Sequence, residues 1–141
     1  MAVKRHAILD DKTKYSELDR GGMSNHLNKF SDLCEKAWNQ SKQFKLPDGY
    51  RQVNRIIVLG MGGSAIGADM AASYLEKSCN APIIVSRGYD LPAYVDDKTL
   101  IIASSYSGTT EETLSAFKQS LNTPSKKMAI TTGGDLKKIC K

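Results

Sequence analysis

Residues 104–113 read SSYSGTTEET, six serine and threonine hydroxyls and a glycine within ten positions. Hydroxyls two and three residues apart in a tight turn can converge on one point, together with the unpaired N–H groups of a following helix. Such an arrangement is a nest for a phosphate. Each charge-assisted hydrogen bond to that anion is worth about 1.5–3 kcal/mol net. A plain helix start is the competing explanation, with Thr109 as cap, Glu112 closing a capping box and Glu111 complementing the dipole. That device uses one hydroxyl and one carboxylate, and it leaves Ser105, Ser107, Gly108 and Thr110 unexplained. Glu111 and Glu112 would also repel an anion unless they point to solvent.

Two more glycine-bearing loops invite the same question, GMGGSAIG (60–67) and TTGGDL (131–136). Glycine after a strand lets the chain turn tightly and lets a ligand approach the backbone, while the next helix offers free N–H groups. Gly60-x-Gly62-x-x-Ala65 fits the dinucleotide fingerprint, which also wants an acidic residue about 20 positions on. Ser86-Arg87 stand there instead, an arrangement compatible only with a 2′-phosphate, so an NADP-binding oxidoreductase domain is kept as a minor alternative. Gly62 to Gly67 has the spacing of a Walker loop, but Ala68-Asp69 follow where Lys-Ser/Thr is required, and nucleoside triphosphate binding is excluded.

Residues that converge need elements to carry them. RIIVLG (55–60), APIIVS (81–86), TLIIAS (99–104) and KMAITT (127–132) are short apolar runs, the pattern of strands buried on both faces of a parallel sheet. Between them SAIGADMAASYLEK (64–77) and the segment from about Thr110 to Leu121 read as helices, and GDLKKICK (134–141) as the start of another. Right-handed crossovers then make a doubly wound, three-layer αβα sheet the expected fold. With a strand order 2-1-3-4, the reversal falls between the first and third strands, and Ser64 and Ser107 face one another across a single crevice. Seven of the eleven glycines (Gly60, Gly62, Gly63, Gly67, Gly108, Gly133, Gly134) lie on or soon after three of those strand ends.

Ahead of the sheet, residues 1–21 read as a polar arm. Leu27, Phe30, Leu33, Ala37 and Trp38 predict one amphipathic helix over 24–45, stopped by Pro47 and Asp48-Gly49. The chain of 141 residues ends soon after entering its last predicted helix. The expectation is either a fold finishing on that helix or one cut short before a fifth strand.

Composition excludes several functions. Net charge is +5, but the lysines are scattered and not interleaved with aromatics, so no nucleic-acid partner is expected. No apolar run approaches the ~20 residues of a membrane span, and MAVKRHAILDD has no apolar stretch long enough for a signal peptide, so neither is expected. Cys34, Cys79 and Cys140 are widely spaced and unpaired in pattern, as reduced thiols of a cytoplasmic protein; no zinc site is suggested.

Taken together, GMGGSAIG, the Arg87-x-Tyr89-x-Leu91-Pro92 stretch, SYSGTTEET and ITTGG resemble the sugar isomerase (SIS) domain over roughly residues 20–141. More narrowly they are similar to the amino-terminal half of bifunctional phosphoglucose/phosphomannose isomerases. The resemblance implies a flavodoxin-like, five-stranded domain binding a hexose 6-phosphate. Ser105, Ser107 and Thr110 would hold the phosphate, with Gly108 in the same loop. Gly62, Gly63 and Ser64 would lie against the sugar, and Gly133 and Gly134 would line the same cleft. It also implies isomerisation through a cis-enediol without metal or organic cofactor, and a homodimer. The glutamate base, histidine and lysine of that family come from a second sugar isomerase domain, the histidine from the partner subunit, and this chain stops before them. No catalytic residue is therefore expected here: Glu111 and Glu112 sit at the phosphate end, and His6 and His26 belong to the arm and first helix. The expectation is binding without turnover, with a phosphosugar-sensing regulator module as the alternative.

Overall fold

The computed structural model describes residues 11–140. The chain falls into two units, one up to Lys45 and one from Leu46 onward. In the first, Asp11 accepts a hydrogen bond from the Thr13 amide and caps α1 (Lys12–Leu18). A helix thus stands where a plain arm was expected, and residues 1–10, His6 among them, lie outside the described part. The single helix expected over 24–45 is two, α2 (Met23–Asn28) and α3 (Phe30–Gln43), broken at Lys29. Met23, Leu27, Phe30, Cys34 and Ala37 keep their three- and four-residue steps through the break, so periodicity could not reveal it. Asn25 and Asn28, weak helix formers, precede the break. Asp19 caps α2 from outside, accepting from the Met23 and Ser24 amides at 2.6 and 2.7 Å.

The second unit holds β1 (Arg55–Gly60), α4 (Gly63–Leu75), β2 (Ile83–Ser86), β3 (Thr99–Ser104), α5 (Glu111–Ser120), β4 (Lys126–Ile130) and α6 (Gly134–Ile139). All pairings are parallel, and the order is β2-β1-β3-β4, so the reversal lies between β1 and β3 as expected. The register Gly60↔Ser104 puts the carboxyl ends of those two strands side by side. This is the three-layer αβα, flavodoxin-like arrangement, with four strands among the described residues.

Alternation across the pleat divides the strands. Ile57 and Leu59 of β1 and Ile101 and Ala103 of β3 are fully or almost fully buried against Leu114, Ala116 and Phe117 of α5 and Leu136 of α6. Burying such side chains stabilises by about 1.5–3 kcal/mol each. The right-handed β1–α4–β2 connection sends α4 to the other face. There Ala65 sits so close that a Cβ on Gly60 would lie 3.5 Å from its Cα. Ala65 is the one buried residue of α4, and Ile66, Met70 and Tyr74 are exposed.

Candidate functional site

The first loop turns at Gly62, whose φ of +52° and ψ of −128° suit glycine alone. Ser64 follows one residue into α4 and joins two loops. Its hydroxyl oxygen accepts a hydrogen bond from the Tyr106 amide at 3.3 Å, and its carbonyl accepts one from the Ser104 hydroxyl at 3.1 Å. The crevice between the first and third strands therefore brings Ser64 against the hydroxyl-rich turn. A Cβ added at Gly62 or Gly63 would meet no atom within 4 Å. Packing within the chain does not demand the missing side chains at these positions, and their absence leaves open space beside the helix start.

In the third loop the hydroxyls divide by burial. Ser105 is 1% exposed, and its Oγ accepts from the Gly108 amide at 3.1 Å and lies 2.9 Å from the Thr110 Oγ1. It shapes the turn from inside. Ser107 is exposed and accepts from the Thr109 amide and hydroxyl at 3.2 and 3.0 Å, which leaves its own proton free to donate outward. The capping-box reading of Thr109 with Glu112 fails. The cap position is Thr110, in extended conformation, and its side chain makes no cap hydrogen bond to the helix because it is turned to Ser105. The first-turn amides of α5 thus lack a side-chain cap, as do those of α4.

The fourth loop is clasped to the third. Thr132 gives its amide and hydroxyl to the Tyr106 carbonyl at 3.2 and 2.6 Å, and the Leu136 amide bonds the Gly108 carbonyl at 3.0 Å. Gly108 and Gly134 pack backbone to backbone: a Cβ on Gly108 would lie 1.9 Å from the Gly133 carbonyl oxygen, and one on Gly134 2.4 Å from the Ser107 carbonyl oxygen. Both also have positive φ. These glycines permit the close approach of two loops, a spacing role that the strand-end pattern did not distinguish from cleft lining. Beside them opens a cavity of about 270 Å³ lined by Ser64, Ser104, Tyr106, Ile130, Thr131 and Thr132. Ser104, Tyr106 and Thr132 were missed as site residues; the signal for Ser104 was its place as the last residue of a buried strand.

Charge around the loops is mixed. Arg87 forms an ion pair with Asp69 of α4, so the guanidinium that an NADP 2′-phosphate would need is already engaged. The Tyr89 carbonyl accepts a hydrogen bond from the Gln119 amide of α5 at 2.8 Å, and the carboxylate of Glu112, then burial, then Glu111 raise its phenol above the ordinary 10.0. Among the described residues no cluster of histidine, cysteine, aspartate and glutamate could hold a metal ion. No described helix is long and apolar enough to cross a membrane.

Known proteins are similar to this chain in sequence. The SIS domain family profile matches residues 49–140. The chain is 45% identical over 108 residues to the bifunctional phosphoglucose/phosphomannose isomerase of Caldicellulosiruptor bescii, covering 77% of this chain and 32% of that protein. It is 42% identical over 105 residues to the enzyme of the same name in Aquifex aeolicus, covering 74% and 33%. It is 31% identical over 118 residues to D-glucosamine-6-phosphate 4-epimerase of Sulfolobus acidocaldarius, covering 83% and 35%. The chain spans about a third of the length of these relatives. With its parallel sheet, its strand order and its paired serine loops, the chain belongs to the SIS domain family.

Proposed function

We propose that this domain binds the phosphate of a hexose 6-phosphate in the turn 105–110 and the sugar against Gly62, Gly63 and Ser64. The observation that carries this reading is the hydrogen bond from the Tyr106 amide to Ser64, which joins the two loops at one crevice. Ser107 donates its hydroxyl proton to the ester, and the uncapped first-turn amides of α5 supply further donors. Thr110 contributes its hydroxyl once released from Ser105. Ser105, Gly108, Gly133 and Gly134 hold the shape. The names of the relatives, isomerases and an epimerase of sugar phosphates, support the same substrate class.

The parent activity we infer is interconversion of aldose and ketose hexose 6-phosphates by an enediol route, within a homodimer in the cytoplasm and without a cofactor. This chain contributes binding and orientation and supplies no catalytic residue. Titration calorimetry of the 141-residue chain with glucose 6-phosphate, mannose 6-phosphate, fructose 6-phosphate and NADP tests the reading. Heat from the hexose phosphates and none from NADP is expected, together with no isomerisation of any of them. Binding of NADP alone would return the oxidoreductase alternative, which the Arg87–Asp69 pair disfavours.

A further inference from the structure

Three loops meet at the main chain of Tyr106. Its amide donates to the Ser64 hydroxyl of the first loop at 3.3 Å. Its carbonyl accepts from the fourth loop, from the Thr132 amide at 3.2 Å and the Thr132 hydroxyl at 2.6 Å. Strand β3, which leads into Tyr106, runs between β1 and β4, so one residue reaches to the loops on either side of it. The ring is 78% exposed, so these bonds place main chain and not a packed side chain.

That division of partners fixes the next peptide. The 106–107 bond is trans, and in a planar trans peptide the C=O and the N–H point in opposite directions. With the Tyr106 carbonyl committed to the fourth loop, the Ser107 N–H is turned away from that loop, to the side on which the Tyr106 N–H meets Ser64. Two successive amides directed to one side form a nest, a main-chain concavity that receives anions. The first of the pair is spent on Ser64. Among the described residues none accepts from the second. Thr132 does more here than hold two loops together, since its amide alone would do that. A carbonyl has two lone pairs, and the added hydroxyl bond restrains the plane of the peptide as well as its position.

We propose that Thr132 is a positioning residue of the anion site: its hydroxyl locks the Tyr106–Ser107 peptide so that the Ser107 amide faces a phosphate held in the turn 105–110. The inference rests on the function proposed above. It adds a main-chain donor to that site and a fourth-loop residue that aims it.

The test uses the full chain, isotope-labelled for amide NMR, with glucose 6-phosphate and inorganic phosphate as probes. Thr132→Val keeps the shape of the side chain and the amide bond and removes only the hydroxyl; Thr132→Ser keeps the hydroxyl. In the wild type, saturation with either probe moves the Ser107 amide proton downfield. Thr132→Val binds both probes about threefold to tenfold more weakly, as for one lost hydrogen bond, and its Ser107 signal moves less. Thr132→Ser behaves as the wild type. Thermal melts of each variant show that the fold is retained, and the wild-type shift decides the part of the Ser107 amide even without them. Wild-type affinity in Thr132→Val overturns the proposal, as does a Thr132→Ser variant as weak as Thr132→Val. So does a deficit seen with glucose 6-phosphate and not with inorganic phosphate, which marks direct contact with the sugar, or a Ser107 amide that stays in place while ligand binds. A wild-type chain that binds neither probe overturns the site itself, a result that appears without any substitution and is distinguishable from the others.

Discussion

Ser105 and Ser107 stand two residues apart and do different work, because the chain leaving β3 turns one hydroxyl inward and the other outward. Replacing Ser107 by Ala removes an exposed donor, so affinity for glucose 6-phosphate falls about tenfold to a hundredfold while the melting temperature hardly moves. Replacing Ser105 by Ala leaves the Gly108 amide without its acceptor and costs about 1–3 kcal/mol of stability, read as a lower denaturant midpoint. Calorimetry and urea unfolding on the two variants check the division. The residue types raise the expectation of an anion site, since six hydroxyls exceed what capping needs. Which hydroxyl is structural was not legible, because burial depends on the fourth loop closing over the third, and no local pattern reports that.

At the scale of elements, α5 begins at the proposed site and carries a flaw. The Thr113 hydroxyl is buried, 2% exposed, and has no hydrogen-bond partner. A buried polar group without a partner costs free energy, so the isosteric Thr113→Val is expected to equal or exceed wild-type stability by up to about 1 kcal/mol in urea unfolding. The strands and their order were readable from four apolar runs and the crossover rule; β1 and β3 fall where the runs do. The cap of α5 was misread by one residue, since Thr109 and Thr110 both satisfy the pattern and only the Ser105 contact selects between them. The break between α2 and α3 escaped notice for a different reason: an apolar stripe advances at the same steps on either side of Lys29.

Across the whole molecule, acid weakens the fold through its aspartates. Hydrogen bonds from Thr13 to Asp11, from Ser24 to Asp19, from Thr99 to Asp96 and from Lys138 to Asp135 hold each carboxyl below the ordinary 3.8. A folded-state value below the unfolded one means that the unfolded chain binds protons more tightly in this range. The contribution is complete above 3.8 and is lost as pH falls through the lowered values, so urea midpoints should be level from pH about 6 to about 5 and drop by pH about 3. Asp11 and Asp19 belong to the helical unit and Asp96 and Asp135 to the sheet unit, so both should share the decline.

The back-to-back glycines give the sheet unit a built-in reporter. Because the Gly108 carbonyl holds the Leu136 amide directly, a guest at the proposed Ser107 site is expected to stiffen α6 through main chain alone. Deuterium uptake at Leu136 should slow on saturation with a sugar phosphate, although that leucine meets no part of the guest. Occupancy can thus be read at a distance, without a label placed in the crevice.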